Sequence, residues 1–489
     1  MGALHELAAP GDLGPELIRQ VAAGDGVTIG PGVARALAER RAVVLAALAG
    51  GEPVYGVNTG LGALSGIRLT EAQQRDHQRN LLLARATGGP PWLPARDARA
   101  LVAVRLATFL TGDAGVSVAL CQRLADFLNA GLVPAIPAEA AGSAGEIVPL
   151  AHAFGPLAGI GYVLGPGGPD SPVRPAAAAL AGHGLSEFAL GPKEGIALIE
   201  GVPGATALSL LGSAEAATTA AMLEAAAGLS IAAIGAPADP YDAACARGDQ
   251  VHAAVLARLR AMLGDPARPP RMLQAPVSFR VAGPVLAHVA RAAAALELAS
   301  GRALAGVTDS PAFLGGRFVG TAGFHGIDLA AHCDQLTAAF AHAAEVSAAR
   351  THRLLDPRVT GLAAQLAARP GPDTGLVTVH KRAAGEVHAL RRQAQPSAIG
   401  LIETSGGQED VQSFAWAAAQ ALRAALRHAR VIAACELLTA WQAAALAGGP
   451  GPGGAADLAG RVSALVEPIT ADRPFGEDIE RLAAGTWLR

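Results

Sequence analysis

Lysine is nearly missing from this chain: Lys193 and Lys381 are the only two among 489 residues. That scarcity argues against a Schiff-base or pyridoxal mechanism. Aromatic residues are also scarce, at 4%, and charged residues reach only 16%, against 51% hydrophobic. A core without aromatic bulk is built from Ala, Leu and Val, which suits closely packed helices, and so apolar a chain buries surface between subunits as well. The net charge of -3 leaves no basic footprint for nucleic acid and no polybasic membrane patch. Uncharged apolar runs long enough to span a bilayer are lacking too. The best, residues 216–236, is interrupted by Glu224, Ser230 and Gly235. At the start, MGALHELAAPGDLG has no basic region ahead of an apolar one, so no secretion signal is expected. Cys121, Cys245, Cys333 and Cys435 lie too far apart for paired zinc or redox spacing and read as buried thiols in a reducing compartment. No His/Asp/Glu cluster has metal spacing, and the glycine-rich 165–172 stretch lacks the lysine of a phosphate loop. A cytoplasmic protein without a metal is expected.

What the chain does have is length without breakers. Residues 327–356 and 409–447 contain neither Gly nor Pro, and each is stopped by one, at Pro357 and Gly448. The second run would make a rod of roughly 60 Å. Its heptads are not sustained, so a multi-helix bundle is expected rather than a coiled coil. Val102, Leu106, Phe109 and Leu110 share one helical face, as do Leu120, Leu124, Phe127 and Leu128 before a stop at Asn129-Ala130-Gly131. The fold class is therefore mainly α, a long-helix bundle with a loop-rich N-terminal region. The expected division is 1–200, carrying the loops of interest, and 201–489, the long helices and C-terminal region.

Several motifs then fall in register. Tyr55-Gly56-Val57-Asn58-Thr59-Gly60-Leu61-Gly62 resembles the YGVNTGFG signature of the aromatic amino-acid ammonia-lyases and aminomutases. Gln78-Arg79-Asn80-Leu81 follows at the expected distance. The stretch from Ala140 to His152, AAGSAGEIVPLAH, is similar to the family's GSVGASGDLAPLAH. Lys193-Glu194-Gly195, the run Gln274 to Arg280, Phe324-His325-Gly326 and Gln408-Glu409-Asp410 complete the set, with Asp472-Arg473-Pro474 in the tail. The resemblance implies a mainly helical homotetramer whose sites draw residues from three subunits. It also implies an electrophile, methylidene-imidazolone, made by cyclisation and dehydration of an internal Ala-Ser-Gly.

This sequence departs from the pattern where that electrophile would form. Aligned on Pro149-Leu150-Ala151-His152, the triad is Ser143-Ala144-Gly145, and an alanine has no hydroxyl to eliminate. The Asp beside the triad is Glu146. The Asn that supports the electrophile is Glu200, the second catalytic Tyr is Val277, and the Asn before Phe-His-Gly is Gly323. The pair that contacts the substrate ring aligns with Ala84-Arg85. Kept positions are Tyr55, at the family's catalytic base, Arg280, at its carboxylate anchor, and Glu409, a polar site position; Asn58 and Gln78 would orient base or ligand. His325 reads as structural.

The expected function is an enzyme of this fold that works without methylidene-imidazolone and needs no other cofactor. Tyr55 and Glu200 would move protons, Arg280 would hold a carboxylate, and Arg85 would meet a polar or anionic distal group. Elimination, isomerisation and conjugate addition or cyclisation on a small carboxylate-bearing substrate are all open to it, as in specialised biosynthesis. Two alternatives stand. One is a true ammonia-lyase or aminomutase with its electrophile shifted to Gly142-Ser143-Ala144; the other is a non-catalytic binding or assembly homologue.

Overall fold

The structure is a computed structural model that describes every residue except Met1, Ala140, 265–268, Leu401 and Arg489. Ala140, the first residue of the altered loop, therefore lies outside the described residues. The chain is mainly helical, and its described strands form three two-stranded sheets. The two breaker-free runs are helices, Ile327–Leu354 and Ala415–Leu446. The second is shorter than expected, 32 residues or about 48 Å, because residues before Ala415 form a turn in which Thr404 and Glu409 pair and Phe414 has φ +52°. The earlier amphipathic stretches are the helices Ala95–Leu110 and Val118–Asn129. The latter ends as read, with Gly131 at φ +67°.

Two compact units emerge, and the expected boundary at residue 200 is corrected. The first unit comprises Met1–Leu211, Glu297–Cys333 and Pro396–Gln420; the second comprises Gly212–Leu296, Asp334–Gln395 and Ala421–Arg489. A single cut fails because four of the five boundaries fall inside long helices, Pro203–Ala233, Ala282–Ala305, Ile327–Leu354 and Ala415–Leu446; the fifth, between Gln395 and Pro396, follows the helix Val377–Gln393. Segments 194–233 and 415–446 are long and apolar enough to cross a membrane, but 94% and 78% of their most apolar windows are buried within the protein. Cys121, Cys333 and Cys435 are buried, whereas Cys245, expected to be buried too, is exposed; none of the four forms a disulfide.

Small side chains let backbones approach closely in the first unit. A Cβ on Gly195 would stand 2.1 Å from the carbonyl oxygen of Gln78, and one on Gly204 would stand 2.1 Å from the Trp416 ring. These contacts position the segments of the site.

Candidate active site

The Tyr55 turn is built by its neighbours' backbone hydrogen bonds. Asn58 Oδ1 accepts from the Val54 N–H at 2.7 Å and its Nδ2 donates to the Glu52 carbonyl at 2.8 Å, while Arg68 Nη1 donates to the same Oδ1 at 3.3 Å. Gly56 has φ +67°, and a Cβ there would strike Ile196 Cδ1 at 2.2 Å, so only glycine fits. The turn leaves Tyr55 partly exposed, with its phenolic oxygen accepting the Gly62 N–H at 2.8 Å.

Gln78 is fully buried on the helix Glu71–Arg85. Its Nε2 donates to the Gly56 carbonyl at 3.1 Å, and its Oε1 accepts from Gly195 N–H at 2.9 Å and Ile196 N–H at 3.2 Å. One carboxamide therefore ties the Tyr55 turn to the first turn of the helix Glu194–Ile199, whose C-terminal cap is Glu200. Asn58 and Gln78 both hold backbone around Tyr55. Neither lines the cavity described below, because their amides are spent on backbone groups.

The altered loop is held the same way. Ser143 Oγ donates to the Gly145 carbonyl at 3.3 Å and accepts from Ile147 N–H at 3.2 Å. Ala144 donates its N–H to Glu409 Oε2 at 3.0 Å, and Glu409 also accepts from the Thr404 and Ser405 hydroxyls at 3.0 Å each. Glu146, buried, accepts from the Gly204 and Ala205 N–H groups at 2.6 Å each, at the start of the helix Pro203–Ala233. Burial pushes its carboxyl up to about 7, with those two amides opposing. Gly323, where the family carries Asn, lies against backbone. A Cβ would stand 2.0 Å from the Val307 carbonyl oxygen, so this chain has no room for a side chain there.

Behind Glu200 lies a cluster of buried charges that sequence reasoning missed. Lys193 Nζ pairs with Asp309 Oδ2 at 2.7 Å, both buried, and Arg105, fully buried, donates through Nη2 to the Glu200 carbonyl. The Arg105 guanidinium also lies 5.1 Å from the Phe109 ring centroid and 5.8 Å from that of Phe154. Lys193 was legible only as part of a motif, and Asp309 and Arg105 sit in ordinary surroundings with no sequence signal. Burial raises the Glu200 carboxyl to about 8; Asp309 and Glu409 push the same way, and Lys193 and Arg105 oppose. Glu200 is thus a neutral acid at pH 7. Tyr55 is likewise raised, first by desolvation and then by Glu200 and Glu409, with the Gly62 N–H opposing. Arg85, half-buried at the end of its helix, is lowered by desolvation against the pull of Glu200, Tyr55 and Glu409.

Tyr55, Ala144, Glu200 and Glu409 line one cavity of about 430 Å³ in the first unit, walled by Leu61, Phe318 and Phe324. A small acid fits such a volume. Arg85 acts on these groups through its field and is not in the cavity wall. Arg280 belongs to the second unit, on the short helix Val277–Arg280.

A buried glutamate, a tyrosine and a second glutamate thus share one loop-walled cavity in a mainly helical chain. Comparison with known proteins gives the class: the chain belongs to the aromatic amino acid lyase family, whose model matches residues 13–466. It is a lyase-family enzyme. It is 33% identical to a histidine ammonia-lyase of Streptomyces avermitilis over 93% of this chain and 90% of that protein. Among solved structures, a tyrosine aminomutase from Streptomyces globisporus superposes with a TM-score of 0.92 at 27% identity, covering 100% and 98% of the two chains. An ergothioneine-degrading ergothionase from Treponema denticola, solved with desmethyl-ergothioneine sulfonic acid, gives 0.91 at 25% identity, covering 99% and 98%.

Proposed function

We propose that this lyase eliminates an amine from a small carboxylate-bearing substrate without a methylidene-imidazolone. The relatives named as ammonia-lyases support elimination over the isomerisation and cyclisation that the sequence leaves equally open. The observation that carries the reading is the wall of the cavity itself. Ala144, at the position that should lose a hydroxyl, lines that cavity together with a neutral Glu200. An alanine has no hydroxyl to eliminate, so the residues do not fit the electrophile at this position.

The chemistry that remains is proton traffic. Tyr55 as phenolate takes a β-proton, the electron pair forms the C=C bond, and the C–N bond breaks as Glu200 donates its proton to the departing nitrogen. The Gly62 N–H on the phenolic oxygen favours the phenolate this step requires, against the desolvation and the Glu200 and Glu409 charges that hold Tyr55 above its ordinary range. Without an activating ring the substrate must bring its own acidity, so the β-proton has to be adjacent to a further electron-withdrawing group. Arg280, contributed by another subunit of a cytoplasmic homotetramer, holds the carboxylate, and Arg85 faces the distal group.

A second reading has one observation in its favour. If the electrophile is shifted to Gly142-Ser143-Ala144, the nitrogen that must attack is that of Ala144, and its proton already rests on the Glu409 carboxylate at 3.0 Å. The named activity of the histidine ammonia-lyase relatives also favours an ordinary ammonia-lyase. Intact mass separates the two. The proposal expects the sequence mass apart from removal of Met1, and a deficit of two waters mapped to the peptide around Ser143 would establish the shifted ring instead.

A further inference from the structure

Arg280 stands out in the second unit as a half-buried guanidinium whose Nε is buried and finds no hydrogen-bond partner among the described residues. The short helix that carries it is gripped by groups from two other segments. Tyr241 donates its hydroxyl to the Phe279 carbonyl at 3.1 Å, and both residues are buried. Arg350, 3% exposed, donates through Nη1 to the Ser278 carbonyl at 3.0 Å. Arg350 is itself clamped by the fully buried Glu436, Nε to Oε1 at 2.5 Å and Nη2 to Oε2 at 2.8 Å. Glu436 is completed by the Ser230 and Ser347 hydroxyls at 2.6 Å each. Each carboxylate oxygen thus accepts two hydrogen bonds, and the planar fork of Arg350 leaves Nη1 one direction in which to donate.

We infer that Tyr241 and Arg350 are positioning residues that aim the unpaired Arg280 guanidinium at a substrate carboxylate. This rests on the reading of Arg280 as the carboxylate anchor. The two carbonyls gripped belong to the residues immediately before Arg280, so the bonds fix the direction in which its side chain leaves the backbone. A guanidinium recognises a carboxylate by two parallel bonds, a geometry that a small rotation of the helix spoils while leaving the charge in place. Burial drives the Tyr241 phenol well above its ordinary range, against the pull of Arg350 and Arg280, so the hydroxyl stays a donor at any working pH.

The test is calorimetric titration of the whole protein with trans-cinnamate, a plain unsaturated carboxylate, in wild type, Tyr241→Phe, Arg280→Lys and the double variant. The expectation is that Arg280→Lys weakens binding by about tenfold or more and Tyr241→Phe by about fivefold. In the Arg280→Lys background, Tyr241→Phe should change nothing further, a non-additivity that a merely structural role would not produce. Arg350→Lys, which keeps a charge for Glu436 but loses the bond to Ser278, should behave as Tyr241→Phe does and stands in for it if that variant fails to fold. Additive losses, or no loss in either variant where Arg280→Lys does weaken binding, overturn the inference. Cinnamate that fails to bind, or binds independently of Arg280, overturns the anchor and the inference with it.

Discussion

Glutamate 200 should make this protein less stable as the pH rises through neutrality, and Glu200→Gln should abolish that dependence. The carboxyl moves from an ordinary 4.5 to about 8 on folding, chiefly by burial. The folded chain therefore keeps a proton that the unfolded chain has already released between those values. Stability from this group is fully present below pH 4.5 and is lost as the pH climbs to about 8. At about 1.4 kcal/mol per unit, flattening as the pH reaches the folded value, raising the pH from 6 to 8 removes about 2 kcal/mol. Glutamine matches the neutral acid in shape and does not titrate, so the same pH step should leave its contribution flat. Glu146 titrates in the same direction, up to about 7, in both proteins and cancels in the difference.

Denaturant unfolding at one fixed protein concentration, repeated between pH 6 and 8.5 for wild type and variant, reads the effect directly, since subunit association then acts equally on both. The two stability curves should diverge by about 2.5 kcal/mol across the window, with the variant the more stable at the alkaline end. Parallel curves would show that Glu200 is ionised in the folded protein, and its role as proton donor would fall with them.

Two further substitutions probe the scaffold. Gly195→Ala puts a methyl 2.1 Å from the Gln78 carbonyl oxygen, backbone against backbone. It should cost at least about 3 kcal/mol or prevent folding, and an unchanged thermal midpoint would refute the packing. Gln78→Met leaves Gly56, Gly195 and Ile196 backbone groups buried and unpaired. The unfolding free energy should drop by about 3 kcal/mol or more, and turnover should fall as Tyr55 loses its tether; a neutral substitution by both measures would contradict the coupling.

The sequence made the helical class and the order of the motifs legible because periodicity and glycine-proline punctuation are local signals. The stop after Asn129 is an example: a left-handed glycine is needed at Gly131, and a glycine is there. The start of the helix Ala415–Leu446 was missed by six residues, since nothing local in residues 409–414 says that Glu409 will pair with Thr404. The site follows the same division. Tyr55, Ala144, Glu200 and Glu409 were legible through the motifs and share a wall of one cavity. The charges that set their protonation were not legible. Asp309 and Arg105 act on Glu200 only because distant segments converge, and no spacing along the chain encodes that convergence. Gln78 was visible as a polar residue in a motif, but only the fold shows its amide already spent.

Those unseen charges bear on why Ala144 and Glu200 occur together. An activating electrophile serves two needs at once, making the β-proton acidic and making the amine a better leaving group. A methyl at Ala144 meets neither. The second need can be met by protonating the nitrogen as it leaves, which requires an acid still protonated at pH 7 and placed beside the base. An exposed glutamate is ionised there. Glu200 qualifies because burial and the nearby Asp309 and Glu409 carboxylates outweigh Lys193 and Arg105. The ion pair between Lys193 and Asp309 is then more than ballast, since it sets how far the carboxyl rises: without Lys193 the acid would be too weak to give up its proton, and without Asp309 it would sit nearer ionisation. Under the proposed function the first need, met by none of the described residues that line this cavity, falls to the substrate.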